Sequence, residues 1–69
     1  MAIGWIRKFW KDRSYAFIST DADPEKVYHW RMPDGVDRDS LSYRRVVEFT
    51  PVENSAEGKN DIAANVRFI

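Results

Sequence analysis

The chain is divided into short runs rich in β-branched and aromatic residues, each as long as a β-strand and separated from the next by a turn signal. Five such runs cover residues 2–10, 15–20, 26–30, 44–52 and 62–69. Turn-forming residues such as Asp21-Ala22-Asp23-Pro24 and Met32-Pro33-Asp34-Gly35 lie between them. Short strands with regular turn signals and no amphipathic helix are typical of an all-β barrel or sandwich. In 69 residues they predict one small domain.

The connections can be predicted in outline as well. Residues 31–42 show no convincing period, which predicts a surface loop that could include one helical turn after Ser40. The polar stretch 53–61 predicts a second loop. Closing the sheet into a barrel is favoured, because closure removes the strand edges that would otherwise aggregate.

Composition narrows the classes of function. There is no cysteine, so disulfides and thiolate metal sites are excluded and a reducing compartment is the simplest setting. No apolar run approaches the roughly 18 residues of a membrane span, and no signal-peptide core is visible. We therefore expect a soluble cytoplasmic protein without a membrane partner.

Catalysis and metal binding are not expected. We find no nucleophile–base pair and no Gly-rich phosphate loop, so the sequence does not predict an enzyme. The single histidine has no companions for the three or four ligands that zinc requires. Asp34, Asp37 and Asp39 lack the spacing of a calcium loop, and we expect them to cap turns.

The net charge is zero, from 11 basic and 11 acidic residues, but the charges are unevenly distributed. Residues 21–40 carry three basic and six acidic side chains. Residues 1–20 carry one acid and four basic side chains, Arg7, Lys8, Lys11 and Arg13. The positively charged residues 1–20 could bind a polyanion on one face of the protein. With zero net charge, however, the protein lacks the electrostatic potential for tight non-specific binding to a nucleic-acid duplex. The alternative is that both clusters are solvated surface.

Two aromatic residues in the second run raise the question of which face is buried. Tyr15 and Phe17 share one face of a strand, and Ala16 and Ile18 share the other. Either the rings form the core, or the rings stand in water among the basic side chains. Exposed rings among cations suit the stacking of unpaired bases, because every base has a π-face and every nucleotide carries a phosphate. Alternation alone does not decide between the two.

Four motifs resemble the cold-shock domain family and occur in the order of that family. Gly4-Trp5-Ile6-Arg7-Lys8-Phe9 resembles the family's opening G-x-V-K-W-F, and Arg13-Ser14-Tyr15-Ala16-Phe17-Ile18 resembles the K-G-[FY]-G-F-I that follows. Val27-Tyr28-His29-Trp30 is similar to V-F-V-H followed by an aromatic residue. Ala63-Ala64-Asn65-Val66 matches the closing A-A-N-V, with Gly58-Lys59 shortly before it.

The resemblance implies a small five-stranded antiparallel OB-type barrel that spans residues 1–69 as a single domain. It also implies a protein that binds single-stranded RNA or DNA and acts as an RNA chaperone, with no cofactor. Exposed rings would stack on bases while cations neutralise phosphates. Together with the aromatic and basic pattern of the chain, the resemblance predicts these nucleic-acid-binding side chains: Arg7, Lys8, Trp10, Arg13, Tyr15, Phe17, His29 and Trp30.

The first strand does not alternate strictly, and a β-bulge near residues 7–9 would explain this. By resemblance, Ile6 and Phe9 point inward there, while Arg7 and Lys8 lie on the ligand side.

The register of the third strand decides which of its residues face the ligand, because a shift by one residue exchanges the two faces. The ungapped match places Val27 and His29 outward and Tyr28 inward, with Trp30 emerging at the strand end. The alternative places Tyr28 and Trp30 outward and buries His29. We favour the first, because a buried histidine needs partners that the sequence does not identify.

The chain departs from the family pattern at several positions. Ser14 and Ala16 replace two glycines, Lys8 replaces a surface tryptophan, and Tyr28 replaces a smaller valine. With the neutral charge, these departures favour a second hypothesis: a barrel whose exposed rings bind a protein partner or a second copy, with nucleic-acid binding lost. Interfaces also enrich Trp, Tyr and Arg, so composition does not separate the two. As oligomeric state we expect a monomer or a weak homodimer.

Overall fold

The computed structural model describes residues 1–10, 12–54 and 60–69, and five strands lie in these ranges. They are β1 (Ala2–Phe9), β2 (Tyr15–Ser19), β3 (Tyr28–Arg31), β4 (Val46–Val52) and β5 (Asp61–Phe68). The strands form a closed barrel in the order β1-β2-β3-β5-β4, in which β4 pairs with β1. The predicted five-stranded all-β barrel is therefore confirmed, and it is consistent with an OB-type barrel.

The prediction of a purely antiparallel barrel is wrong at one seam. Each of the pairs β1–β2, β2–β3, β1–β4 and β4–β5 is antiparallel, whereas β3 and β5 pair in parallel. The reason is topological. Strand direction alternates along this chain, so β3 and β5 run the same way, and the closure that brings them together makes their pairing parallel.

A short 3₁₀ helix follows β3, at Arg38–Ser40. A helical turn is therefore present in this loop, but it ends at Ser40, whereas the prediction placed it after that residue. The Asp37 carboxylate fixes the position of the turn, because it accepts hydrogen bonds from the Asp39 backbone N–H and the Ser40 hydroxyl, both at 3.0 Å. For Asp37, the expected turn-capping role is confirmed.

The core is formed by the inward faces of the strands. Ile6, Ile18, Val47 and Phe49 are fully buried, and each such side chain contributes about 1.5–3 kcal/mol relative to an exposed one. Ala16 is also fully buried.

The predicted bulge in β1 is confirmed. The β1–β2 register shifts between Ile6, which pairs with Ile18, and Lys8, which pairs with Phe17. Arg7 is the extra residue, so Arg7 and Lys8 are both exposed. Phe9 turns back to pack against the core.

A second bulge explains the closing motif in structural terms. Along β5, Ala64 pairs with Thr50 and Arg67 pairs with Glu48, so two residues of β5 lie opposite Phe49. One of them, Asn65, has a φ of 52°. Asparagine is among the few non-glycine residues that adopt this left-handed conformation readily, which accounts for an asparagine at this position.

The parallel seam is held by an ion pair where β5 begins. Lys26 Nζ lies 2.9 Å from Asp61 Oδ2, and the Asn54 backbone N–H donates to Asp61 Oδ1 at 3.2 Å. Next to this ion pair, Tyr28 pairs with Asp61 and His29 pairs with Ile62. The ion pair therefore fixes the first residue of β5 beside the strand that carries His29.

We expect Asp61→Asn to lower the melting temperature at neutral pH but not in acid. The hydrogen bond from Lys26, followed by that from Asn54, lowers the pKa of Asp61 from its ordinary 3.8. A lowered pKa in the folded state gives stability that is present above the unfolded pKa and is lost as the pH falls through the folded value. Thermal unfolding at pH 7 and below pH 3 measures the difference. Asp12→Asn, at an exposed position, is the control, and an equal effect of Asp61→Asn at both pH values would contradict the assignment.

No helix in the described ranges is long and apolar enough to cross a membrane.

Candidate nucleic-acid interface

Four aromatic rings form one cluster on the outer face of the barrel. We call Trp10, Tyr15, Phe17 and His29 the aromatic platform. Its ring centroids lie 4.8 Å apart for Trp10 and Tyr15 and 5.5 Å apart for Trp10 and Phe17. His29 lies 5.4 Å from Tyr15 and 5.8 Å from Phe17. Three separate chain segments thus bring four of the predicted site residues together.

The question that alternation left open is decided by burial. Ala16 and Ile18 are fully buried, whereas Tyr15 and Phe17 are half-buried on the opposite face of β2. Ala16 and Ile18 therefore form part of the barrel interior. The rings therefore lie outside the barrel, where they pack on one another.

The platform rings are tilted rather than coplanar. The interplanar angle is 85° for Trp10 and Phe17, 50° for Trp10 and Tyr15, and 47° for Tyr15 and His29. Only Trp10 and Phe17 meet edge-on, the other pairs are tilted, and each ring is half-buried, so part of its surface stays accessible. A flexible single strand can place successive bases on a row of tilted rings. The bases of a duplex are stacked on each other and cannot reach such a row in this way.

Basic side chains border the platform. Lys8 Nζ lies 5.2 Å from the Trp10 ring centroid, and Arg13 Nη1 donates to the Tyr15 hydroxyl at 3.5 Å. Arg7 is also exposed, but its Nη1 donates to the Pro24 carbonyl at 2.9 Å, so it holds the loop that follows β2. Lys8 and Arg13 are thus nearest to the rings.

Arg31 is a basic residue at this site that is not among the predicted binding residues. It is exposed and pairs with Tyr15 across β2 and β3. A signal was present in the sequence: Arg31 lies two residues after His29, so strand alternation places both on the same outward face. Arg31 adds a third cation next to the rings.

Asp12 is next to Arg13 in the chain, and three further acidic residues follow β2. Asp21, Asp23 and Glu25 belong to the exposed loop between β2 and β3. The Trp5 indole N–H donates to Asp21 Oδ1 at 2.9 Å, which fixes this loop beside the first half of β1. A polyanion on the platform would therefore be attracted on one side and repelled on the other.

The prediction that Trp30 belongs to the exposed site is wrong. Trp30 is only 5% exposed and packs edge-on against Phe68, with ring centroids 6.1 Å apart. Because β3 continues to Arg31, alternation keeps Trp30 on the inward side. Its partner across β2 and β3 is Ala16, whose small side chain leaves room for the indole.

The preferred register of β3 is confirmed. Tyr28 faces inward, and its ring lies 5.0 Å from that of Phe49, while His29 contacts the platform rings. Val27 precedes the strand and is half-buried. Of the predicted residues on other segments, Lys11 and the Gly58-Lys59 pair lie outside the described residues.

A groove of about 400 Å³ lies between the last residues of β3 and the middle of β5. It forms because the β3–β5 pairing includes His29 and Ile62, whereas β3 continues to Arg31 and β5 to Phe68. Its lining residues are Trp30, Arg31, Pro33, Val36, Ile62, Ala63, Ala64, Asn65 and Val66. The sequence carried no signal for this groove, since it depends on the divergence of two strands that are distant in the chain.

Comparison of the chain with models of protein families, with curated proteins and with solved structures finds no match. The likeness to cold-shock domains therefore rests on the four motifs, and the function must be argued from the site.

Proposed function

We propose that this protein binds single-stranded RNA or DNA by stacking unpaired bases on the aromatic platform. The observation that supports this most is that Tyr15 and Phe17 lie outside the barrel in contact with Trp10 and His29. Stacking contributes about 1–3 kcal/mol per base. Several rings together are enough for micromolar or tighter binding after the cost of ordering the strand.

The cations give the second part of the binding free energy. Lys8, Arg13 and Arg31 are exposed beside the rings, and each can neutralise a phosphate of a strand whose bases lie on the platform. Arginine can also stack on a base through its planar guanidinium group. None of these contacts reads a base edge, so the expected sequence preference is slight.

The cellular role that this binding supports is that of an RNA chaperone of the cold-shock type, acting in the cytoplasm. A protein that holds unpaired strands shifts the equilibrium away from hairpins by mass action, without chemistry. Because a duplex hides the faces of its bases, the platform would discriminate against paired strands.

A fluorescence titration with a short oligothymidine at low and high salt tests the proposal. We expect quenching of tryptophan emission, because Trp10 is on the platform. With three cations on phosphates, the logarithm of the binding constant should fall with the logarithm of salt concentration with a slope of about −2.

The Trp10→Phe variant tests whether the quenching of tryptophan emission comes from binding at the platform. The Trp5 indole N–H is hydrogen-bonded to Asp21, and Trp30 packs on Phe68, so neither ring belongs to the platform. The Trp10→Phe variant should therefore still bind oligothymidine but lose most of the quenching. Absence of oligothymidine binding at both salt concentrations would reject the proposal and favour the protein-interaction hypothesis.

A further inference from the structure

A second outer face of the barrel combines exposed apolar side chains with the Glu48–Arg67 ion pair, and the Arg44 guanidinium group lies over the Trp5 ring of this face, with Cζ 5.2 Å from the ring centroid. Trp5 pairs with Val46 across β1 and β4, and the Ile69 backbone N–H donates to the Val46 carbonyl at 3.4 Å. In the next row, Ile3 pairs with Glu48, and Glu48 pairs with Arg67. We call these residues the β1-β4-β5 face: Ile3, Trp5, Val46, Glu48, Arg67 and Ile69.

Three of the four apolar members of this face are exposed, and the fourth, Trp5, is half-buried. Ile3 is 55% exposed, Val46 is 45% exposed and Ile69 is 65% exposed. Single exposed apolar residues are ordinary, but neighbouring ones on adjacent strands form a contiguous patch that is typical of an interaction site.

We propose that the β1-β4-β5 face packs against the same face of a second copy of the chain. A two-fold axis places a patch against itself, so the patch must be complementary to itself. This face meets that condition, since Arg67 Nη2 lies 3.3 Å from Glu48 Oε1 and each can therefore face the opposite charge of the other copy. The zero net charge of the chain adds no general repulsion between copies.

The exposures of the two charged side chains fit this arrangement. The Arg67 side chain is 72% exposed and that of Glu48 is 23% exposed. The guanidinium group thus projects from the face and can reach a second carboxylate, while the Glu48 carboxylate lies lower between the strands. Two facing sheets about 10 Å apart would bring such side chains into contact.

The size of the face indicates a weak dimer. Stable interfaces use about 20–30 residues on each side and bury about 1,200–2,000 Å² in total. Six residues on a molecule with 4826 Å² of accessible surface provide less than this. We therefore expect association that depends on concentration, with a dissociation constant in the micromolar range or weaker.

Sedimentation velocity of the full chain, from micromolar to millimolar concentration, tests the dimer. We expect the mean mass to rise with concentration and Val46→Lys to abolish the rise, because it places like charges near the two-fold axis. Val52→Lys is the matched control, since Val52 is 41% exposed on the same strand and pairs with Ile62 away from β1. A monomer at every concentration, or a Val46→Lys variant that dimerises like the wild type, would overturn the proposal.

A charge exchange gives a second, independent criterion. Arg67→Glu should weaken the dimer, and the double variant Glu48→Arg/Arg67→Glu should restore it, because the exchanged pair is again complementary to itself. Failure of the double variant to restore the dimer, with its circular dichroism unchanged, would contradict the proposed pairing. Val46→Lys should keep oligothymidine affinity, so the dimer and the nucleic-acid proposal fail independently.

Discussion

Phe17→Ala is expected to weaken binding of a short oligothymidine by about 5- to 150-fold and to leave the protein folded. Phe17 lies at the centre of the platform, within 5.8 Å of both Trp10 and His29 between ring centroids. Losing one stacking ring removes about 1–3 kcal/mol, and each 1.4 kcal/mol corresponds to about tenfold in affinity. Fluorescence titration at low salt measures the change, with circular dichroism as the test of folding.

Two control variants make this result specific. Tyr43→Ala removes an exposed ring that packs on Phe9 instead of the platform, so affinity should not change. Ile18→Ala alters the residue next to Phe17 on the buried face, and should cost about 2–5 kcal/mol of stability with normal affinity of the folded fraction. If Phe17→Ala instead unfolded the protein and left binding unaltered, the platform would be part of the core.

The strands and the first bulge could be predicted from the sequence because both depend on local pattern. Alternation gives the strand period, and its failure near Arg7 indicates the extra residue that the β1–β2 register shows. The faces of β2 could not be assigned in this way. Whether Ala16 or Phe17 faces inward depends on how much space the closed barrel leaves, which is a property of all five strands.

The errors at β3 have two different physical causes. The prediction for Trp30 is wrong because the strand continues to Arg31, and strand ends are the part of a pattern that a sequence defines least well. The parallel β3–β5 seam and the groove beside it arise from contacts between residues such as His29 and Ile62, which are far apart in the chain. The periodicity of a single sequence carries no information about such long-range contacts.

Gly4→Ala is expected to destabilise the fold by about 2–3 kcal/mol, the effect of overpacking a filled site. A Cβ atom on Gly4 would lie 2.5 Å from the Ser19 carbonyl oxygen and 2.9 Å from Phe49 Cε1. The Ser19 backbone cannot move away easily, because Ser19 pairs with Trp5 across β1 and β2 and its hydroxyl donates to the Lys26 carbonyl at 3.0 Å.

Thermal unfolding should therefore show a melting temperature lower by about 10–20 °C in Gly4→Ala, at about 4–8 °C per kcal/mol for a domain of this size. Gly35→Ala separates crowding from backbone strain. Gly35 has a φ of 92° and nothing within 4 Å of its Cβ position, so its cost is conformational, about 1 kcal/mol. If Gly4→Ala were no more destabilising than Gly35→Ala, the close approach of β1 to β2 would not be what requires a glycine at position 4.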